Sequence, residues 1–144
     1  MITRILVTTD GSEIAIRGIE YAAYLAAKLQ ARVTLVHVVD LASIPLSIAS
    51  ASEEARNKFR QEMLEAGRSI IRLSQKFLMD AHIVASYEVL EGRAAEVICK
   101  YAADNKFDLI IVGNRGRGKI SRAILGSVSD EVVRLAPCPV LVVR

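Results

Sequence analysis

Tryptophan is absent from the 144 residues, and Phe and Tyr bring the aromatic share to only 5%. A stacking platform for single-stranded nucleic acid needs exposed rings, so that function is not expected. Cysteine is confined to Cys99 and Cys138, and histidine to His37 and His82. All four are widely separated, which leaves no metal-ligand cluster and no disulfide framework. Long hydrophobic runs are missing too. The longest, Tyr21 to Ala27, is far shorter than the ~18 residues a membrane-spanning helix requires. The first residues, Met-Ile-Thr-Arg-Ile-Leu-Val, run straight into a strand-like segment, so a cleavable signal is not expected. Charge of one sign is also scarce: 19 basic residues face 16 acidic ones, a net of +3. A dedicated nucleic-acid binder usually carries more. These absences predict a soluble, cytoplasmic chain with reduced thiols, and neither a membrane nor a nucleic acid as partner.

What remains is aliphatic. Hydrophobic residues make up 52% of the chain and charged residues 24%, which excludes global disorder. With so few rings, the core must come from Ala, Val, Ile and Leu. The length suits one domain, residues 1–144, large enough to bury a full core without disulfides or metals.

Apolar runs and helical spacings alternate along the whole chain. Ile5-Leu6-Val7 ends in Thr8-Thr9-Asp10-Gly11-Ser12. Ala15, Ile19, Ala22, Ala26 and Leu29 then recur at helical steps, with Ser12 or Asp10 placed to cap that helix. Val33 to Val39 reads as a second strand. Ala55, Phe59, Met63, Ala66, Ile70, Leu73 and Phe77 predict the apolar face of a second helix. Ile83 to Leu90 is a third strand, and Glu91-Gly92-Arg93 a turn. Ala94, Ile98 and Tyr101 mark a third helix. Leu109 to Val112 is a continuous apolar run, as expected of a strand buried on both faces. Val128, Val132 and Leu135 mark a fourth helix, stopped by Pro137 and Pro139 before a final strand, Val140 to Val143. Strict alternation predicts an α/β fold: an open five-stranded parallel sheet, Rossmann-like, in the order 3-2-1-4-5, with helices on both faces. The stretch from Leu41 to Ser52 is uncharged, with Pro45 and four serines. It reads either as a loop folding its apolar residues onto the domain or as a lid.

In such a sheet, ligands bind beyond the carboxyl ends of the strands where the winding reverses, here between strands one and four. Strand one ends at Asp10 and strand four at Gly113. From Gly113 the chain runs Asn-Arg-Gly-Arg-Gly-Lys-Ile-Ser-Arg-Ala-Ile-Leu-Gly-Ser. Successive N–H groups of a glycine-rich turn can form an anion-binding concavity, and a helix N-terminus adds unpaired donors and a positive dipole end. Arg115, Arg117, Lys119 and Arg122 add charge. The stretch therefore reads either as a phosphate site or as a solvated basic loop with an ordinary cap at Ser127. It is not a P-loop, because Ile120 stands where the Mg²⁺-binding hydroxyl belongs. His37 reads as a hydrogen-bonded structural histidine, and both thiols as inert packing groups. Asp130 and Glu131 read as companions of a helix dipole.

The spacing Gly113-x2-Gly116-x9-Gly126-Ser127 resembles the ATP-binding signature of the universal stress protein family. Asp10 at the end of strand one, Leu35-Val36-His37-Val38 and the closing Pro139-Val140-Leu141-Val142-Val143 are similar to that family as well. Thr8 departs from the proline or valine of many members. The resemblance implies an ATP site (or one for ADP or AMP), with Mg²⁺ or Mn²⁺ admissible alongside the nucleotide. Val38 would recognise the base through its backbone, Thr8 and Thr9 would line the wall, and Asp10 would lie beside the nucleotide. Val112 and Gly113 would flank the ribose. Arg115 and Gly116 would approach the phosphates, and Gly126, Ser127, Val128 and Ser129 would hold them. No catalytic residue is singled out, since metal ligands near the loop are scarce and fast phosphoryl transfer needs them. The resemblance implies a nucleotide-dependent switch or sensor with an unidentified protein partner. A slow ATP hydrolase and a nucleotide-independent protein-binding module stand as alternatives. The uncovered edge strand Val140–Val143 predicts a homodimer.

Overall fold

The computed structural model describes residues 1–40, 43–114 and 125–144. Its elements are β1 (Arg4–Thr8), α1 (Glu13–Leu29), β2 (Arg32–Asp40), α2 (Leu46–Ala49), α3 (Glu53–Asp80), β3 (Ala85–Gly92), α4 (Ala94–Asp104), β4 (Leu109–Gly113), α5 (Ser127–Leu135) and β5 (Val140–Val143). The strands form one sheet in the order β3-β2-β1-β4-β5, and every neighbouring pair is parallel. This is the order expected from the alternation.

Each central strand feeds two cores. Ile5, Val7, Leu35 and Ile111 point to one face and pack with Ile19, Ala22 and Ala26 of α1 and with Ile71 and Leu78 of α3. Leu6, Val36, Ile110 and Val112 point to the other face and pack with Ile98 and Ala102 of α4 and with Val132 of α5. A strand that faces apolar layers on both sides has no reason to alternate with polar residues, which explains the unbroken run from Leu109 to Val112. At the opposite end of the sheet from the β1–α1 turn, Asp108 ties β1 to β4. Its Oδ2 accepts from Thr3 N (2.8 Å), Thr3 Oγ1 (2.8 Å) and Arg4 N (3.0 Å).

Four details differ from the sequence expectation. β3 begins two residues late and runs through Glu91 and Gly92, because β2 continues to Asp40 and pairs with them. The buried face of α3 is Gly67, Ile71, Ser74 and Leu78, one position beyond the predicted stripe, while Leu73 is 68% exposed. The smallest residues set where this helix approaches the sheet, so the larger apolar side chains flank the contact and Leu73 misses it. In α5, Val132 is fully buried, but Val128 and Leu135 are exposed. Within residues 43–52 the chain forms a helical turn at Leu46–Ala49, and Leu46 points to solvent. Leu41 lies outside the described residues.

Candidate functional site

A crevice of about 440 Å³ opens at the carboxyl ends of β1, β2 and β4. This is where an open parallel sheet with reversed winding leaves room for a ligand. It gathers ten of the twelve sequence-predicted residues. Thr8, Thr9 and Asp10 enter from the end of β1, Val38 from β2, Val112 and Gly113 from β4, and Gly126, Ser127, Val128 and Ser129 from the start of α5. Arg115 and Gly116 lie outside the described residues, as do Arg117, Lys119 and Arg122.

The wall from β1 is a tightly bonded turn. Asp10 accepts from Ser12 N through Oδ1 (2.9 Å), and Thr9 Oγ1 accepts from Gly11 N (3.1 Å). Gly11 occupies the left-handed region at φ 80°, which a side chain would oppose. Ser12 caps α1 by accepting from Ala15 N (3.2 Å). Asp10 is thus both a turn residue and a crevice residue. The floor of this turn is buried: Thr9 is 5% exposed and its hydroxyl meets Ser74 Oγ of α3 at 3.2 Å. His37 Nδ1–H donates to the Thr9 carbonyl (2.8 Å). A carbonyl can only accept, so the bond fixes the proton on Nδ1. His37 has the structural bond expected of it and also lines the crevice.

The opposite wall joins β4, β5 and α5 through Asn114. Its N–H donates to the Val143 carbonyl (2.6 Å), and its own carbonyl accepts from Gly126 N (2.8 Å). Ser129 Oγ lies 3.0 Å from the carbonyls of Asn114 and Gly126 and donates inward. The Ser129 hydroxyl therefore locks the helix start in place. Gly126, the N-cap of α5, has no side chain to satisfy the first N–H groups. A helix leaves its first four N–H groups without intrahelical partners, and its positive dipole end adds to them. The crevice consequently has an acid on one wall and exposed backbone donors on the other.

Six further lining residues were not among the predicted site: Ala15, His37, Asp40, Ser43, Ala94 and Ile98. Asp40 is legible only as the last residue of a strand longer than its apolar run. Ala94 and Ile98 belong to the apolar face of α4, whose first turn reaches the crevice because β3 ends level with β2. Above them, Arg93 pairs with Glu96 (3.6 Å) and Glu131 (3.7 Å), linking the starts of α4 and α5, and Asp130 pairs with Arg134 (3.2 Å). Both thiols lie away from the crevice. Burial pushes the Cys99 and Cys138 thiols up, which disfavours the nucleophilic thiolate. Among the described residues no cluster of three or more His, Cys, Asp or Glu side chains could hold a metal ion, and no helix is long and apolar enough to cross a membrane.

The profile of the universal stress protein family matches residues 1–144. A universal stress protein of Thermus aquaticus is 37% identical, with all of both chains covered. One of Methanocaldococcus jannaschii is 31% identical over 98% of this chain and 81% of the relative. Among solved structures, MJ0577 superimposes with a TM-score of 0.85 at 29% identity, covering 99% of this chain and 96% of that one. A universal stress protein in complex with cAMP superimposes with a TM-score of 0.73 at 26% identity, covering 99% and 97%.

Proposed function

The chain belongs to the universal stress protein family, and from that premise we propose that it binds ATP, or ADP or AMP, in the crevice and acts as a nucleotide-dependent switch or sensor in the stress response of the cytoplasm. The observation that carries this reading is the pairing of the two walls. A turn fixed around Asp10 faces an α5 N-terminus with no side-chain cap, across a space of about 440 Å³. Volumes of this order suit small-molecule ligands. Backbone donors at a helix start suit phosphate oxygens. The adenine part rests on the similar protein that holds cAMP.

In this reading Val38 offers its backbone to the base, with Thr8 and Thr9 beside it. Val112 and Gly113 flank the sugar. Ser127 and the N–H groups of Ser127, Val128 and Ser129 receive the phosphates, beside Gly126, whose own N–H is held by the Asn114 carbonyl, with Arg115 and Gly116 completing that end. Mg²⁺ is commonly held by one or two carboxylates together with substrate phosphates. Asp10 and Asp40, the carboxylates lining the crevice, fit an ion carried in with a triphosphate. Mg²⁺ or Mn²⁺ would there neutralise phosphate charge.

Titration calorimetry tests the reading. We expect saturable ATP binding with one site per chain, weakened by Asp10→Ala and by a bulky side chain at Gly126. An absence of heat with ATP, ADP and AMP alike overturns it. The same reading includes a homodimer through β5. Among the described residues that strand pairs only with β4, which leaves an outer edge whose hydrogen-bonding groups a second copy would satisfy.

A further inference from the structure

We infer that Gly67 and Ser74 of α3 are positioning residues for the nucleotide site: together they brace Thr9 from behind, and Thr9 in turn holds the Asp10 turn. The inference rests on the nucleotide reading of the crevice. Neither residue lines that crevice.

The buried stripe of α3 is Gly67, Ile71, Ser74 and Leu78. Two of the four are poor choices for an apolar contact. A glycine weakens a helix interior, and a serine brings a hydroxyl that must be satisfied. Residues seven apart lie on the same face, two turns along. Both address Thr9. Ser74 reaches it directly, Oγ to Oγ1, at 3.2 Å between two buried side chains. Gly67 reaches it through His37. A Cβ on residue 67 would lie 2.8 Å from His37 Cδ2 and 3.2 Å from Val89 Cγ1. Carbon atoms at rest sit roughly 3.5–4.0 Å apart. The absent side chain is thus the space that seats the imidazole.

His37 and Val89 are register partners on β2 and β3, so an added methyl would press on side chains of two neighbouring strands at once. The imidazole would shift, and its Nδ1–H would leave the Thr9 carbonyl. All three polar groups of Thr9 are engaged: N–H to the Val36 carbonyl (2.9 Å), carbonyl to His37, and hydroxyl to Ser74 and Gly11 N. Loosening Thr9 therefore loosens Gly11 and the carboxylate next to it. Sites whose supporting residues slip by about 1 Å lose much of their function.

The test compares Gly67→Ala, Ser74→Ala, His37→Asn and the double variant Gly67→Ala/His37→Asn. Asn is smaller than His and keeps a donor. ATP affinity is read by calorimetry, and amide exchange of Gly11 is read without nucleotide. We expect Gly67→Ala to weaken ATP binding about tenfold, with accelerated exchange at Gly11 and an unchanged circular dichroism spectrum. The double variant is expected to return both readouts to those of His37→Asn alone, which a general packing defect would not do. Ser74→Ala is expected to weaken binding about threefold and to accelerate Gly11 exchange; it decides the matter if Gly67→Ala does not fold. Wild-type affinity and Gly11 protection in Gly67→Ala or in Ser74→Ala overturn the inference, as does a Gly67→Ala defect that persists in the double variant. Should the wild-type chain bind no ATP, the nucleotide reading fails by itself, and Gly11 exchange alone still upholds or overturns the brace.

Discussion

Gly92 illustrates how one missing side chain sets the packing of β3 against α4. It closes β3 at φ 136°, and a Cβ there would stand 2.5 Å from Val97 Cγ2 in the first turns of α4. Valine is stiff at χ1 and cannot turn aside freely. Gly92→Ala should cost about 1–3 kcal/mol in urea unfolding, through backbone strain and overpacking together. The sequence marks Gly92 as a turn residue, which is half of its role; the contact with Val97 is visible only once α4 is folded back. Asp108 carries a pH dependence. The backbone and side chain of Thr3 and the backbone of Arg4 hold its carboxyl below the usual range. Its contribution is therefore complete above the ordinary carboxylate value of about 4 and lost as pH falls through the lower folded value. Melting curves of wild type and Asp108→Asn should be separated at neutral pH and converge in acid. A constant separation down to pH ~2 would refute this assignment. Asp10 was legible because a lone acid at a strand end stands out against apolar neighbours. The second role of His37 was not, because a hydrogen-bonded histidine and a crevice-lining one look the same in sequence.

Among the elements, α5 is the part on which the proposed phosphate end depends. Its start is fixed by Asn114 and Ser129, and Ser129 is 3% exposed. Ser129→Ala removes the hydroxyl's bond while the backbone N–H groups of Gly126 and Asp130 still reach the carbonyls of Asn114 and Gly126, so a loss of about 0.5–1.5 kcal/mol is expected by chemical denaturation. ATP affinity should fall with it, because the N–H groups lose their fixed origin. Unchanged affinity in a destabilised Ser129→Ala protein would separate the two roles. The existence and order of the five strands and the four longer helices were legible, since apolar runs and helical steps alternate along the chain. The orientation of α3 was not. Hydrophobic spacing pointed to Ala66, Ile70 and Leu73, whereas Gly67 and Ser74 face the sheet. A stripe of large residues marks the side a helix would bury against a flat surface. A helix that must also avoid an imidazole and meet a hydroxyl turns to its small residues instead. The one-turn helix at Leu46–Ala49 left no signal, having neither periodicity nor a side-chain cap.

The whole molecule presents two unlike margins. On one side β5 is four residues long and apolar, with Val133 and Leu135 of α5 exposed nearby. Sedimentation equilibrium should show a dimer, and a monomer at every concentration would contradict the proposed pairing of β5. On the other side β3 is twice as long, yet Glu88 is exposed on it and Glu91 is clamped by Arg60 in a two-pronged pair at 2.8 and 2.9 Å. Charged groups on a margin discourage a foreign strand from adding there. Two adhesive margins would let copies join without end, as heterologous contacts do when no rotation closes them. Were the proposed pairing of β5 the sole adhesion, growth would stop at a closed pair, and a concentrated solution of this chain should stay fluid where a two-sided sheet would seed filaments.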